Sequence, residues 1–210
     1  MRLRSTFIAL LALLAAGFAR AEGDAGAGAA LYAACASCHG AEGGGDRALQ
    51  APRLTHLQPA YLSLQLSKFR SGLRGGSGAG PSAAQMAGMA TTLADDQAIA
   101  DVVAYIGTLQ SDPSPATIAG DPQRGADYYN QFCGACHGAR AEGNPALDSP
   151  RLAGSDDWYL MAQLEAFRSG QRGSHPDDRT GRQMKAMAAL LPDEKARTDV
   201  VAFIRSLAAQ

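Results

Sequence analysis

The chain carries four cysteines, which come as two pairs that are each followed at once by a histidine. The two segments are Cys35-Ala36-Ser37-Cys38-His39 and Cys133-Gly134-Ala135-Cys136-His137. Cys-x-x-Cys-His is the attachment signature of c-type haem, in which two thiols add to the vinyl groups and the histidine presents its imidazole to the iron. A disulfide framework, a redox dithiol or a zinc knuckle would not need the trailing histidine. We therefore predict two covalent haem c groups, attached through Cys35, Cys38, Cys133 and Cys136, with His39 and His137 as axial ligands.

Two methionine positions are candidates for the second axial ligand, because Met86 and Met184 each lie 47 residues after the histidine of their own motif. A methionine thioether occupies the sixth coordination position of the iron and raises its reduction potential. An empty sixth position permits ligand binding or catalysis. We favour Met86 and Met184 as ligands and Met89 and Met187 as packing beside the haem, the alternative being that all four only fill the core. Two other histidines do not recur between the halves and are expected in loops: His56 and His175.

Three further residue types recur downstream of the motifs and could support the haem. They are Pro52 and Pro150, Arg53 and Arg151, and Tyr61 and Tyr159. A proline carbonyl could accept a hydrogen bond from the axial histidine and fix its orientation. The arginines could neutralise haem propionates, and the tyrosine hydroxyls could bond them. The alternatives are loop residues with solvated arginines and tyrosines at the edge of the core.

The second half of the chain repeats the first, with Cys133 lying 98 positions after Cys35. The same offset, without a gap, relates Phe69-Arg70-Ser71-Gly72 to Phe167-Arg168-Ser169-Gly170 and Asp101-Val102-Val103-Ala104 to Asp199-Val200-Val201-Ala202. Two copies of this length indicate a duplicated domain and not a solenoid. A Pro-rich seam separates the copies. We predict domains over residues 22–112 and 121–210, joined by a linker over 113–120.

Helical periodicity dominates each half, and no strand-like alternation of useful length appears. Apolar residues recur at three- and four-residue steps from Ile99 to Leu109, after an Asp95-Asp96 start, and again from Val200 to Leu207. Pro192 suits the first position of that last helix. Middle helices are expected over residues 59–70 and 156–168. The predicted fold class is all-α, and the Gly-rich stretches that follow the middle helices cannot pack a core of their own.

Composition and the N-terminus indicate an exported globular protein. The chain is 46% hydrophobic and 19% charged with a formal net charge of -1, which excludes a disordered chain and disfavours a nucleic-acid binder. Residues 1–21 have a basic start, a short apolar run and the triplet Ala19-Arg20-Ala21, as in a secretory signal peptide. Cleavage after Ala21 is expected, the alternative being an uncleaved anchor.

These motifs together resemble class I cytochrome c in each half, with Pro-x-Leu after the haem motif, a late methionine in a Gly-rich loop and a closing amphipathic helix. The tandem arrangement resembles the diheme cytochrome c-four family. That resemblance implies two cytochrome domains related by a pseudo-twofold axis, with Met86 and Met184 as ligands. It also implies a bacterial periplasmic carrier, often membrane-associated, that passes electrons from a membrane respiratory complex towards a terminal oxidase. One departure is that residues 77–82 differ from residues 175–180.

The leading functional hypothesis is electron transfer between redox partner proteins, without a small-molecule substrate and without enzymatic activity. One alternative is the haem subunit of a larger dehydrogenase, such as a flavoprotein that oxidises sulfide. A second is a diheme peroxidase, which is disfavoured because both halves keep the methionine. A regulatory haem sensor would need a gas-binding site or an output module, and neither is evident.

Overall fold

The computed structural model describes residues 22–207, and within that range it contains helices and isolated β-bridges but no strands. The first domain contains α1 (Ala25–His39), α2 (Pro59–Arg70), α3 (Pro81–Ala90) and α4 (Asp96–Ile106). The second contains α5 (Pro122–Phe132), α6 (Gly134–His137), a 3-10 turn (Pro145–Leu147), α7 (Asp157–Ser169), α8 (Arg179–Ala188) and α9 (Glu194–Leu207). The all-α prediction is confirmed. The expected signal peptide, residues 1–21, lies outside the described residues.

Each domain is closed by a crossing of its first and last long helices, α1 with α4 and α5 with α9. The contact is so close that a Cβ on Gly28 would lie 2.0 Å from the carbonyl oxygen of Asp101, and one on Gly125 would lie 1.9 Å from that of Asp199. Only glycine lets the two backbones approach this far. The repeated Asp-Val-Val-Ala segment therefore supplies the surface on which the first helix of each domain rests.

Each domain buries its own apolar cluster, so the two halves have separate cores. Tyr32, Leu62 and Val102 belong to the first cluster, and Tyr129 and Val200 belong to the second. The apolar faces of the crossing helices and of the middle helix meet in each cluster. Within residues 22–207, no helix is long and apolar enough to cross a membrane.

The two copies are not in one register throughout, and the predicted constant offset is wrong for the first helix. Tyr32 donates to the Gly40 carbonyl at 2.8 Å, and Tyr129 donates to the Gly138 carbonyl at 2.7 Å. The tyrosines are 97 positions apart, whereas the glycines are 98 apart. The second copy therefore holds one extra residue, and its helix breaks at Cys133 (φ -113°, ψ -40°) where α1 runs on unbroken.

Two local expectations also differ from the structure. Pro192 does not start the last helix, because the carboxylate of Asp193 accepts a hydrogen bond from the Ala196 amide at 2.7 Å and the helix begins at Glu194. Met86 and Met184 lie on the short helices α3 and α8, not in Gly-rich loops. Each of these helices follows a Gly-rich loop and packs on the middle helix of its own domain.

The Pro-rich linker is attached to the second domain by two buried carboxylates at the start of α7. Asp156 accepts hydrogen bonds from the amide and hydroxyl of Ser114 at 3.0 and 2.7 Å. Asp157 accepts the amides of Thr117 and Ile118 at 2.5 and 2.8 Å. The segment expected as a semi-rigid spacer is thus held along the surface of the second domain, and the domain boundaries stay a prediction.

Candidate haem centres and the interface between the domains

Each haem-motif histidine is buried and makes the same contact with a proline carbonyl. His39 Nδ1 lies 2.8 Å from the Pro52 carbonyl oxygen, and His137 Nδ1 lies 2.9 Å from that of Pro150. Burial lowers the pKa of both imidazoles, while the hydrogen bond acts in the opposite direction. Since the neutral ring donates from Nδ1, the lone pair of Nε2 is available to a metal.

The cysteines of the first motif lie on α1 with His39, whereas in the second motif Cys136 lies on α6 with His137 and Cys133 is the residue that precedes this helix. Burial raises the pKa of the Cys133 thiol to about 11 and also raises the pKa of Cys35. Redox dithiols and metal-binding cysteines depend on a lowered thiol pKa. The environment therefore argues against a thioredoxin-like pair and suits thiols that are consumed in thioether bonds.

The methionine pairs occupy equivalent places on α3 and α8. Met86 and Met184 are partly buried, and each is followed one helical turn later by the second methionine of its pair. Met89 is 36% exposed, whereas Met187 is partly buried. The equivalence of Met86 and Met184 extends to the helix, the packing partner and the burial, as expected of residues with one role in two domains.

Two arginines cross the domain interface in opposite directions, and the sequence analysis did not single them out. Arg74 donates to Tyr159 Oη and Gln163 Oε1, both at 2.9 Å. Arg172 donates to Tyr61 Oη and Gln65 Oε1, both at 3.0 Å. We refer to these six residues as the arginine cluster. They recur at the 98-residue offset, so the repeat contained the signal that could have found them.

The arginine cluster carries a positive charge that its own hydrogen bonds do not balance. Within residues 22–207, no hydrogen bond of Arg74 or Arg172 ends on a carboxylate. The nearby Asp178 is paired with Lys68, so the two guanidinium groups leave a charge of about +2. Buried charges are expensive unless they are paired, so this charge would favour the binding of an anion at the interface.

The chemistry of the cluster fits a haem propionate. Arg74 Nε is a buried donor without a partner in the described part of the chain. Burial and then the charge of Arg172 lower the pKa of Arg74. Burial by itself raises the pKa of Tyr61, but the charges of Arg172 and Arg74 outweigh it, and the net pKa is lowered. Carboxylates at this position would satisfy the orphaned donor and both cations.

Arg53 makes hydrogen bonds across the domain interface, and its Nε, like that of Arg74, is a buried donor without a partner in the described part of the chain. Its guanidinium donates to the Ser111 carbonyl at 2.6 Å and to the Gly154 carbonyl, and the residue is buried. The neighbouring His56 donates to or accepts from Ser155 Oγ at 2.8 Å. The loop after Pro52 therefore contacts the second domain as well as the end of the first. Arg151 is exposed and donates from Nε to the Ala153 carbonyl at 3.1 Å.

Comparison with known proteins accounts for the duplicated architecture. The cytochrome c family model matches the chain twice, over residues 25–110 and 122–208. Cytochrome c4 of Azotobacter vinelandii is 33% identical over 198 residues, which cover 88% of this chain and 90% of that protein. The thiosulfate dehydrogenase electron acceptor of Stutzerimonas stutzeri (strain A1501) is 38% identical over 168 residues, or 74% of this chain and 72% of that protein.

A solved structure agrees with these sequence relatives. The crystal structure of reduced recombinant cytochrome c4 from Pseudomonas stutzeri has a TM-score of 0.65 and 28% sequence identity, and the match covers 87% of this chain and 97% of that one. The prediction of two cytochrome domains with two covalent haem c groups is confirmed. The chain is a member of the cytochrome c family of cytochrome c4 type, a diheme electron-transfer protein.

Proposed function

We propose that this protein is a periplasmic electron carrier that takes electrons from a membrane respiratory complex and delivers them to a terminal oxidase. Its irons are held by His39 with Met86 and by His137 with Met184. The pair of Nδ1 contacts to Pro52 and Pro150, at 2.8 and 2.9 Å, supports the histidines as ligands, and the equivalent places of Met86 and Met184 on α3 and α8 support the methionines. Export is supported by the signal-like residues 1–21, and the carrier role by the cytochrome c4 relatives.

The residues around each iron suit electron transfer more than substrate chemistry. Haem iron supplies a one-electron Fe(III)/Fe(II) couple. The proline carbonyls hold the imidazoles in one tautomer and orientation, so the ligand geometry changes little between oxidation states. Met86 and Met184, as ligands, would exclude external molecules from the iron and raise its reduction potential. No group in this arrangement has to move a proton or bind a substrate.

The propionates are assigned to the arginine cluster. Arg74 and Arg172 provide the charge, and the hydroxyls of Tyr61 and Tyr159 each accept from one guanidinium and keep a hydrogen to donate. This assignment keeps both tyrosines of the sequence analysis and adds Arg74 and Arg172, while the roles expected of Arg53 and Arg151 stay predictions. Propionates bound there would be held by side chains of both domains at the boundary between them.

An optical titration of the purified protein tests the carrier assignment. A pyridine haemochrome count of two haems per chain, a far-red sulfur-to-iron band when oxidised and no carbon monoxide shift when reduced are expected. Stoichiometric electron exchange with a membrane fraction that contains an oxidase would support the partner assignment. A high-spin component, a carbon monoxide adduct or turnover of peroxide by the protein alone would overturn it.

A second candidate is favoured by one comparison, the 38% identity to a thiosulfate dehydrogenase electron acceptor. Under this second hypothesis, the electron donor is a soluble dehydrogenase and not a membrane complex. Reduction of the oxidised protein by a purified thiosulfate dehydrogenase, with thiosulfate and without a membrane fraction, would favour it. Reduction only in the presence of respiratory membranes would favour the first candidate.

A further inference from the structure

The two methionine-bearing helices begin differently, although the domains are copies. In the second domain, Asp178 caps α8 by accepting the Gly181 amide at 3.0 Å. In the first domain, α3 begins after Gly80 with Pro81, and no side chain caps it. The helix that bears Met184 therefore has a charged residue fixing its first turn, whereas the helix that bears Met86 has none.

The carboxylate that caps α8 is held by the other domain. Lys68, on α2 of the first domain, donates to Asp178 Oδ1 and to Thr180 Oγ1, both at 2.6 Å. The side chains of the ion pair are only 11% and 3% exposed. Arg172 is a second cation that this carboxylate acts on. The position equivalent to Lys68 in the second domain is Ala166, so nothing reciprocates this contact.

We propose that Lys68 is a positioning residue through which the first domain secures the iron–methionine bond of the second haem. The proposal rests on the assignment of Met184 as an iron ligand. Met184 is the sixth residue of α8, within two turns of the capped end. The ion pair fixes the first turn of α8 and thereby keeps the Met184 thioether in place. Loss of the ion pair allows the N-terminal end of α8 to fray. The bond between Met86 and the first iron does not depend on this contact.

The consequence is that the two haems differ in their resistance to external ligands, and the difference requires docked domains. Removing one partner of a buried ion pair leaves an uncompensated charge, so the contact is costly to break from one side. Imidazole competes with a methionine for oxidised iron, and it therefore reports how often the methionine leaves. It should bind the first haem more readily than the second.

The test is an imidazole titration of the oxidised full-length protein and its Lys68→Met variant, followed by the NMR signals of the iron-bound methionine methyl groups. The Met184 signal is identified as the one that Met184→Ala removes. Lys68→Met should bind imidazole about tenfold more tightly at the second haem, which corresponds to about 1.4 kcal/mol, with the first haem unchanged. Lys68→Arg should restore the parent affinity.

Two further variants keep the outcome interpretable. Arg70→Gln removes a cation from the same helix without touching the second domain, since Arg70 pairs with Asp96, and it should leave both haems unchanged. Asp178→Asn keeps an oxygen for the Gly181 amide but loses the charge pair, and it should reproduce Lys68→Met. The proposal would be overturned if the parent and Lys68→Met bound imidazole equally well at the second haem. It would also be overturned if Lys68→Met bound imidazole more tightly at both haems. Failure of Met184→Ala to remove any methyl signal would overturn the ligand assignment itself.

Discussion

Arg74 reaches from the first domain to Tyr159, and Arg172 reaches from the second domain to Tyr61, so each guanidinium rests on the hydroxyl of the opposite domain. The exchange is reciprocal, as in the interface of a symmetric dimer. Each arginine also stacks on a phenylalanine of its own domain, with the guanidinium carbon 4.3 and 4.5 Å from the ring centres. Each guanidinium group is therefore held by a hydroxyl of one domain and an aromatic ring of the other, without any contribution from a propionate.

Removing one of these cations should lower the haem potentials. Positive charge near a haem favours the reduced state, and Arg74→Gln keeps hydrogen-bonding capacity while deleting the charge. We expect a decrease on the order of 50 mV, shared between the haems because the cluster lies between them. Spectroelectrochemical titration measures it, with the exposed Arg182→Gln as the matched control. Potentials that stay at the parent values in Arg74→Gln would remove the propionate assignment.

Replacing either proposed methionine ligand should open one iron. Met86→Ala and Met184→Ala are each expected to bind carbon monoxide at one haem per chain when reduced and to lower that haem's potential, within the roughly 0.8 V range over which axial ligands act. Met89→Ala serves as the control, since that residue lies on the same helix and is 36% exposed. If these variants bound no more carbon monoxide than the parent, the ligand assignment would be contradicted.

A methyl group at the helix crossing should be poorly tolerated. In Gly28→Ala the new Cβ would lie 2.0 Å from the Asp101 carbonyl oxygen, so α1 and α4 must separate at a cost of about 2 kcal/mol or more of unfolding free energy. Gly88→Ala is the control, because no atom lies within 4 Å of its Cβ position. Urea denaturation measures the unfolding midpoint of both variants. Equal midpoints would show that α1 and α4 can separate without loss of stability.

The stability of the protein should fall at mildly acidic pH because of His56. Burial, and then the charge of Arg53, lowers the pKa of this histidine to about 3. The unfolded chain binds a proton below about 6.5 while the folded one does not, so stability is lost as pH falls through that range, by at most about 1.4 kcal/mol per pH unit. Denaturation at several pH values should show a weaker slope in His56→Gln. An equal slope in His56→Gln and in the parent would show that this histidine does not cause the loss.

Recurrence between the halves predicted what the two copies share. The middle helices, the haem motifs and the contact of His39 with the Pro52 carbonyl could all be anticipated, because each has a counterpart at a fixed offset. The arginine cluster also recurs, but its meaning depends on the domains facing each other. No local pattern encodes that arrangement.

Contacts made only once could not be found in this way. Lys68 has an alanine as its counterpart, and His56 has a glycine, so a comparison of the halves passes over both. Each becomes informative only when the partner in the opposite domain, Asp178 or Ser155, is known. The extra residue before Cys133 was hidden for another reason, since the aligned motifs all lie on one side of it.

The unbalanced arginine pair also bears on how the protein matures. A chain whose haems have not been attached brings two guanidinium groups together without their anions, and their repulsion opposes docking of the domains. Attachment in one half removes only part of that repulsion. We therefore expect the domains to dock less tightly in chains that lack either haem than in chains that carry both.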